Sequence, residues 1–195
     1  MRGVIVADVV ASKLNADYFD IVIPRKLRAP DNKENSIGAI SQDGSIVYLD
    51  KFMVSSLKVT SEYIEQEKQE QLKEIERRVA IYRPVKKNEE LHYPITTNKT
   101  IVVLIDDGIA SGATVIAAAR WIRAKYKPAQ LIIAAPVASK QAVELLEKEA
   151  VADIVETVTT PSNFVSVAQF YKDFQQLTDD KVTEVLIKRK VIAAS

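Results

Sequence analysis

The 195-residue chain contains no cysteine, one histidine and only five glycines. Without cysteine, disulfides and thiolate chemistry are excluded and a reducing compartment is expected. An excess of either charge is also missing: 27 Lys and Arg against 26 Asp and Glu leave a formal net charge of +1. That balance gives no general pull toward nucleic acid or an anionic membrane, so any basic site must be local. No apolar stretch near the N-terminus is long enough for a signal or a membrane span, which predicts a cytoplasmic protein. What is present is ordinary for a globular domain: 47% hydrophobic and 27% charged residues, enough to bury one core over residues 1–195.

Short apolar runs alternate with helix-period segments along the chain. "VIVADVVASKL" (4–14) spaces Val6, Val10 and Leu14 by four as in a helix, but its β-branched density leaves a strand open. "FDIVI" (19–23) reads as a buried strand, the Pro-containing stretch that follows it as mostly loop, and "SIVYLD" (45–50) as a strand. A long helix is predicted from Thr60 to Tyr82, capped by Thr60 or Ser61, with an apolar stripe of Leu72, Ile75, Val79 and Tyr82. Residues 83–99 form a polar connection containing His92, read as exposed and without a role. "TIVVLI" (100–105) has a continuous apolar run and is predicted to be a central parallel strand buried on both faces. A helix over 114–126, a strand over 130–137, a helix from a Ser139 cap to Ala150, a strand over 153–158 and a last helix over 179–190 follow. Strands alternating with helices at this spacing predict an α/β fold, a Rossmann-like, mainly parallel sheet with helices on both faces.

Two of the five glycines lie in "VVLIDDGIASGAT", residues 102–114, directly behind a pair of aspartates. The end of a parallel strand is where open α/β sheets bind ligands, and the turn into the next helix offers free N–H groups to an anion. Gly108 and Gly112 permit unusual backbone geometry, and Ser111 and Thr114 add hydroxyl donors. A polyphosphate would be repelled by Asp106 and Asp107, whereas a sugar diol would donate hydrogen bonds to them. The implied ligand is a ribose 5-phosphate, with phosphate in the loop and the 2- and 3-hydroxyls on the carboxylates. A plain DG turn followed by helix starters explains less, because it requires neither the second Asp nor S-G-x-T. The stretch lacks both the G-K-[ST] ending of a P-loop and the G-x-G-x-x-G dinucleotide fingerprint.

Four hydrophobics, two acids and "GIASGAT" resemble the signature of the type I phosphoribosyltransferases, with Ser111 where most members carry Thr. Further resemblance over 23–40, 77–83 and 160–182 points to a prokaryotic branch described as predicted phosphoribosyltransferases. The resemblance implies binding of 5-phosphoribosyl 1-diphosphate and displacement of diphosphate from C1 by a nitrogenous base. Asp106 and Asp107 would be the catalytic pair, and Gly108, Ile109, Ala110, Ser111, Gly112, Ala113 and Thr114 the 5-phosphate loop. Arg25 and Lys26 would lie near the diphosphate, with Mg²⁺ held mainly through the diphosphate itself. A lid around 47–93 and a hood around 160–176 are implied, the latter offering Phe164 and Tyr171, with Phe170 and Phe174, to a planar base. Only Arg2, Gly3 and Val4 resemble the family's diphosphate-binding loop, and the core strand that precedes that loop has no counterpart in the sequence, which reads as N-terminally shortened. Its loss would leave two sheet edges unpaired, to be covered by a partner or a rearrangement. A homo-oligomer, a dimer, is expected, with neither nucleic acid nor membrane as partner. The alternative is a regulatory protein that binds a phosphoribosyl ligand without turnover.

Overall fold

The computed structural model describes residues 2–83, 99–175 and 177–192. The segment open to two readings is helical: α1 (Gly3–Leu14) ends at Asn15, whose left-handed backbone (φ 49°) returns its N–H to the Ala11 carbonyl. Its apolar residues divide between two environments, Val4 being buried while Ile5, Val9 and Leu14 stay exposed. The strand predicted over 19–23 does not form. Ile21 and Ile23 are buried, but their amides donate to side chains, Asp20 at 2.7 Å and Gln42 at 3.2 Å. Apolar content drove the segment inward, and no described strand pairs with it.

The stretch expected to be mostly loop instead holds two strands. β1 (Arg25–Arg28) pairs antiparallel with β2 (Ser36–Ile40), and β2 pairs with β3 (Val47–Leu49) on its other edge. Strands of three to five residues are too short to show alternation against a charged background. A short helix, α2 (Lys51–Ser56), leads into α3 (Ser61–Tyr82), where Thr60 accepts from the Tyr63 amide as the cap. Ile75 and Tyr82 are buried as the stripe predicts, but so are Glu67 and Gln71. Arg28 of β1 donates to both carboxylate oxygens of Glu67, at 2.7 and 3.0 Å, and Gln71 donates to the same carboxylate at 2.8 Å. These bonds fix α3 to the antiparallel sheet.

β4 (Ile101–Ile105), β5 (Gln130–Val137) and β6 (Ile154–Thr159) form a second, parallel sheet in that order. The crossovers are α4 (Ala113–Tyr126) and α5 (Lys140–Lys148), the latter capped by Ser139. Both pack with alternate β5 residues, Leu131, Ile133 and Ala135, in the main core, while α1 lies on the other face, where Val6 and Val10 line a small cavity with Ile105 and Ala134. The expected α/β architecture is therefore present, with helices on both faces of a parallel sheet. The central strand, however, is β5. Among the described residues β4 has a single neighbour and is an edge strand; Ile101 is 59% exposed and the remainder half-buried. A continuous apolar run reports burial of both faces, not possession of two neighbours, and here even the burial is partial. The last helix, α6 (Asp179–Lys188), packs on α1 and α3, and Val182 and Leu186 join Val4, Ile21, Ile23 and Tyr82 in a second core. No described helix is long and apolar enough to cross a membrane.

Candidate functional site

At the carboxyl end of β4 the Asp106 amide still donates to Ala134 O at 3.2 Å, extending the ladder by one residue. The Asp106 carboxylate then accepts the Asp107 amide at 2.9 Å, which turns the chain. The loop is strapped to the end of β5. Ile109 bonds to Val137 O and accepts from the Ser139 amide, and the Ser139 hydroxyl donates to Ala110 O at 2.7 Å. Ile109 is thus a buried anchor, while Ala110 and Ser111 are exposed.

Gly112 caps α4 with φ +78°, a conformation that side-chain-bearing residues rarely adopt. A Cβ there would point toward Ala142 and Leu145 of α5, at 3.7–3.8 Å. The glycine therefore serves the turn rather than clearance for a ligand. No side chain caps the helix, and Ile116 is the residue whose amide reaches Gly112 O, at 2.9 Å. The amides of Ala113, Thr114 and Val115 precede the first intrahelical bond and remain available to an anion, reinforced by the helix dipole.

Asp106 keeps part of its surface open, but that part faces an interior cavity of about 1130 Å³. Burial, and after it the neighbouring Asp107 charge, push its carboxyl up to about 7. The same cavity is lined by Asp107, Thr114, Arg25 and Lys26. Two carboxylates, two cations and the start of α4 therefore share one enclosure. Arg25 is held by Gln71 at 2.9 Å and Lys26 by Glu34 O at 2.6 Å. Burial, followed by the nearby Arg78, lowers the Arg25 pKa, so a bound anion would relieve both effects. The sequence reading missed Gln71, although Glu67, Gln71, Ile75 and Val79 share one four-residue spacing and hence one helix face. Among the described residues, no group of three or more His, Asp or Glu could hold a metal by itself.

Arg2 does not face the cavity. Its Nε donates to Gln175 O at 3.1 Å and its guanidinium lies 3.6 Å from the Phe174 ring centre. Gly3 is packed on the site: a Cβ there would lie 2.8 Å from Asp106 Oδ1 and 2.9 Å from its Cα. Gly3→Val should therefore displace the start of α1 or Asp106, costing about 1–3 kcal/mol by overpacking. Denaturant unfolding beside ligand titration checks this, since a neutral substitution would mean the contact is not held in solution.

Over the loop lies segment 160–175, with a 3-10 helix at Val167–Phe170. A Cβ on Gly108 would meet Val167 at 2.5 Å, so the strand end and this segment are in close contact. The Tyr171 hydroxyl donates to Asp107 O at 2.6 Å, and its ring packs on Phe174 at 5.4 Å. Phe164 instead stacks on Phe170, at 5.6 Å. The structure thus brings Tyr171 to the diacid and pairs Phe164 with Phe170 instead. Tyr171→Phe is expected to cost about 1 kcal/mol of stability, the net value of one hydrogen bond. An unchanged denaturation midpoint would show that this bond does not hold the segment. His92 and most of the polar connection lie outside the described residues.

Residues 1–175 match the model of the phosphoribosyl transferase domain. Two Mycobacterium tuberculosis proteins, from strains H37Rv and CDC 1551 and both named "Putative phosphoribosyl transferase", are 34% identical over 184 residues, 94% of this chain. The chain spans 39% of the length of either relative. The crystal structure of TT1426 from Thermus thermophilus superposes with a TM-score of 0.69 at 33% identity, covering 96% of this chain and 83% of that one. With a diacid at a parallel strand end, an uncapped helix start behind it and a family match over nine-tenths of its length, this chain belongs to the phosphoribosyl transferase domain family.

Proposed function

We propose that the protein binds 5-phosphoribosyl 1-diphosphate and transfers its phosphoribosyl group to a nitrogenous base, releasing diphosphate. The observation that carries this reading is the juxtaposition of Asp106 and Asp107 with the free amides of α4. The amides of 113–115, with the Ser111 and Thr114 hydroxyls, receive the 5-phosphate. The two carboxylates accept hydrogen bonds from the ribose 2- and 3-hydroxyls and stabilise positive charge developing on the ring as the C1–O bond to diphosphate breaks. Arg25 and Lys26, which line the same cavity, draw the diphosphate away from the carboxylates. The donor set suits Mg²⁺, a hard cation that keeps waters and takes few protein oxygens. The diphosphate and the ribose hydroxyls would hold it, with few direct protein ligands, and its charge would neutralise the leaving group.

The base enters from segment 160–176, where Tyr171 and Phe174 offer a planar aromatic surface next to the strand end. The chain would be one domain, with this segment as the hood and 47–93 as the lid, of which 84–93 lie outside the described residues. Within the latter α3 is a fixed wall, because its ion pairs lock it on β1. A cytoplasmic homodimer without nucleic-acid or membrane partners completes the proposal. Diphosphate release on adding 5-phosphoribosyl 1-diphosphate, Mg²⁺ and a panel of purines and pyrimidines tests it: release with one base and not without it is expected. Arg2 favours a second reading, ligand binding without turnover, because its guanidinium is spent on Phe174 and Gln175 rather than on the cavity. A ligand-dependent thermal shift with no diphosphate release under any base would establish that reading instead.

A further inference from the structure

Arg78 lines the cavity that holds the diacid, as Arg25 and Lys26 do, although it belongs to α3. Gln71, Glu74 and Arg78 are spaced by three and four residues, so they share one face of that helix. Long helical side chains lean back toward the N-terminus of their helix. Arg78 does so: its Nε donates to Glu74 at 2.8 Å, as the Arg25 Nε donates to Gln71 at 2.9 Å. Only about 4.5 Å of helical rise separates Gln71 from Glu74, so the two anchor points are close together on one wall. Burial, and after it the Arg78 charge, lower the Arg25 pKa, as expected of neighbouring cations.

Each guanidinium is thus fixed at one nitrogen. The terminal nitrogens of Arg25 and Arg78 have no acceptor among the described residues, and they are not sealed from solvent. Glu74, the carboxylate that holds Arg78, is shared, because Arg77 donates to both of its oxygens at 2.8 and 3.0 Å. Arg77 itself turns outward to Asp179, with 49% of its side chain exposed. Two half-buried forks aimed at one cavity suit an acceptor that offers several anionic oxygens at once. We propose that Arg25 and Arg78 form a two-guanidinium clamp on the diphosphate, Gln71 and Glu74 fixing each arginine by its Nε. The clamp rests on the phosphoribosyl reading for the identity of its anion, and it makes α3 part of the binding site.

The test is calorimetric titration of the whole protein with inorganic diphosphate and, separately, with ribose 5-phosphate, at one Mg²⁺ and salt concentration. Arg78→Gln should weaken diphosphate binding at least about tenfold and leave ribose 5-phosphate within about twofold. Arg78→Lys keeps the charge and the Glu74 pair but not the fork, so it should lose diphosphate affinity too, by less. Arg77→Gln, one position away and sharing Glu74, should change neither ligand. An unchanged diphosphate affinity in Arg78→Gln overturns the clamp, and leaves the phosphoribosyl reading standing where the parent binds ribose 5-phosphate. Full affinity in Arg78→Lys overturns it as well, a point charge then being enough. Equal weakening of both ligands, or an Arg77→Gln effect as large as that of Arg78→Gln, would show a general change of fold or field and overturn it too. Diphosphate binding that depends on Arg78 in a protein that takes up no ribose 5-phosphate would keep the clamp and sink the reading instead. A parent that binds neither ligand would sink both.

Discussion

Asp106→Asn is expected to stabilise the protein at neutral pH while weakening its ligand. Burial and the Asp107 charge raise the Asp106 carboxyl to about 7, far above the roughly 3.9 of an unperturbed aspartate. Between these values the unfolded chain has lost the proton and the folded chain still holds it. The folded state then binds more protons than the unfolded one, so stability falls as pH rises from about 4 to about 7 and is lowest above that. Solvent in the cavity moderates the penalty, leaving about 1–3 kcal/mol. Asparagine cannot ionise, and its side-chain oxygen still accepts the Asp107 amide. The variant should therefore gain most of that amount at pH 8, little at pH 4, and lose the intervening slope. Ligand binding moves the other way, because charge-assisted bonds from the ribose hydroxyls become neutral ones. Affinity should drop by about 1–3 kcal/mol, and further in the double variant with Asp107→Asn. Denaturation at the two pH values with calorimetry at each separates the effects; a variant less stable at pH 8 with unchanged affinity contradicts both.

The second large effect lies far from the diacid. Glu67→Ala should destabilise the protein by about 3 kcal/mol, the lower end for breaking a buried ion pair. Glu67 is 3% exposed and accepts from the Arg28 amide, from its guanidinium and from Gln71. Burial opposes its ionisation, but those bonds hold its carboxyl below the ordinary value. The stabilisation is therefore present above about pH 4.3 and is lost as pH falls through the depressed folded value. Arg28 retains Glu70 at 2.8 Å and is partly exposed, which limits the loss. Gln71 would lose its acceptor, and with it the orientation in which it holds Arg25. The variant should thus lower both the denaturation midpoint and diphosphate affinity; a midpoint within experimental error of the parent would mean the pair contributes nothing net.

The sequence carried the long-range periodicities well. The α3 cap at Thr60, the boundaries of β5 and the Ser139 cap on α5 all follow from side-chain spacing and local hydrogen bonding. The diacid and the loop behind it were readable because their residue types are rare together. What escaped was pairing. Strand β1 is short and mostly cationic, and β2 is a short run broken by Gly38, so neither left a pattern. The edge position of β4 depends on what lies beside it, which no local window encodes. Nor does spacing reveal that Arg2 turns onto Phe174, since that contact joins residues far apart in the chain.

The central claim is that a phosphoribosyl group binds with its phosphate on the start of α4 and its hydroxyls on the diacid. Backbone amide chemical shifts on titration with ribose 5-phosphate test it directly, because the proposed donors are the amides themselves. The largest shifts should fall on Ser111, Ala113, Thr114 and Val115, with a second group at Asp106 and Asp107 that disappears in Asp106→Asn with Asp107→Asn. Saturable shifts centred elsewhere, or none at 111–115 at millimolar ligand, would contradict the account.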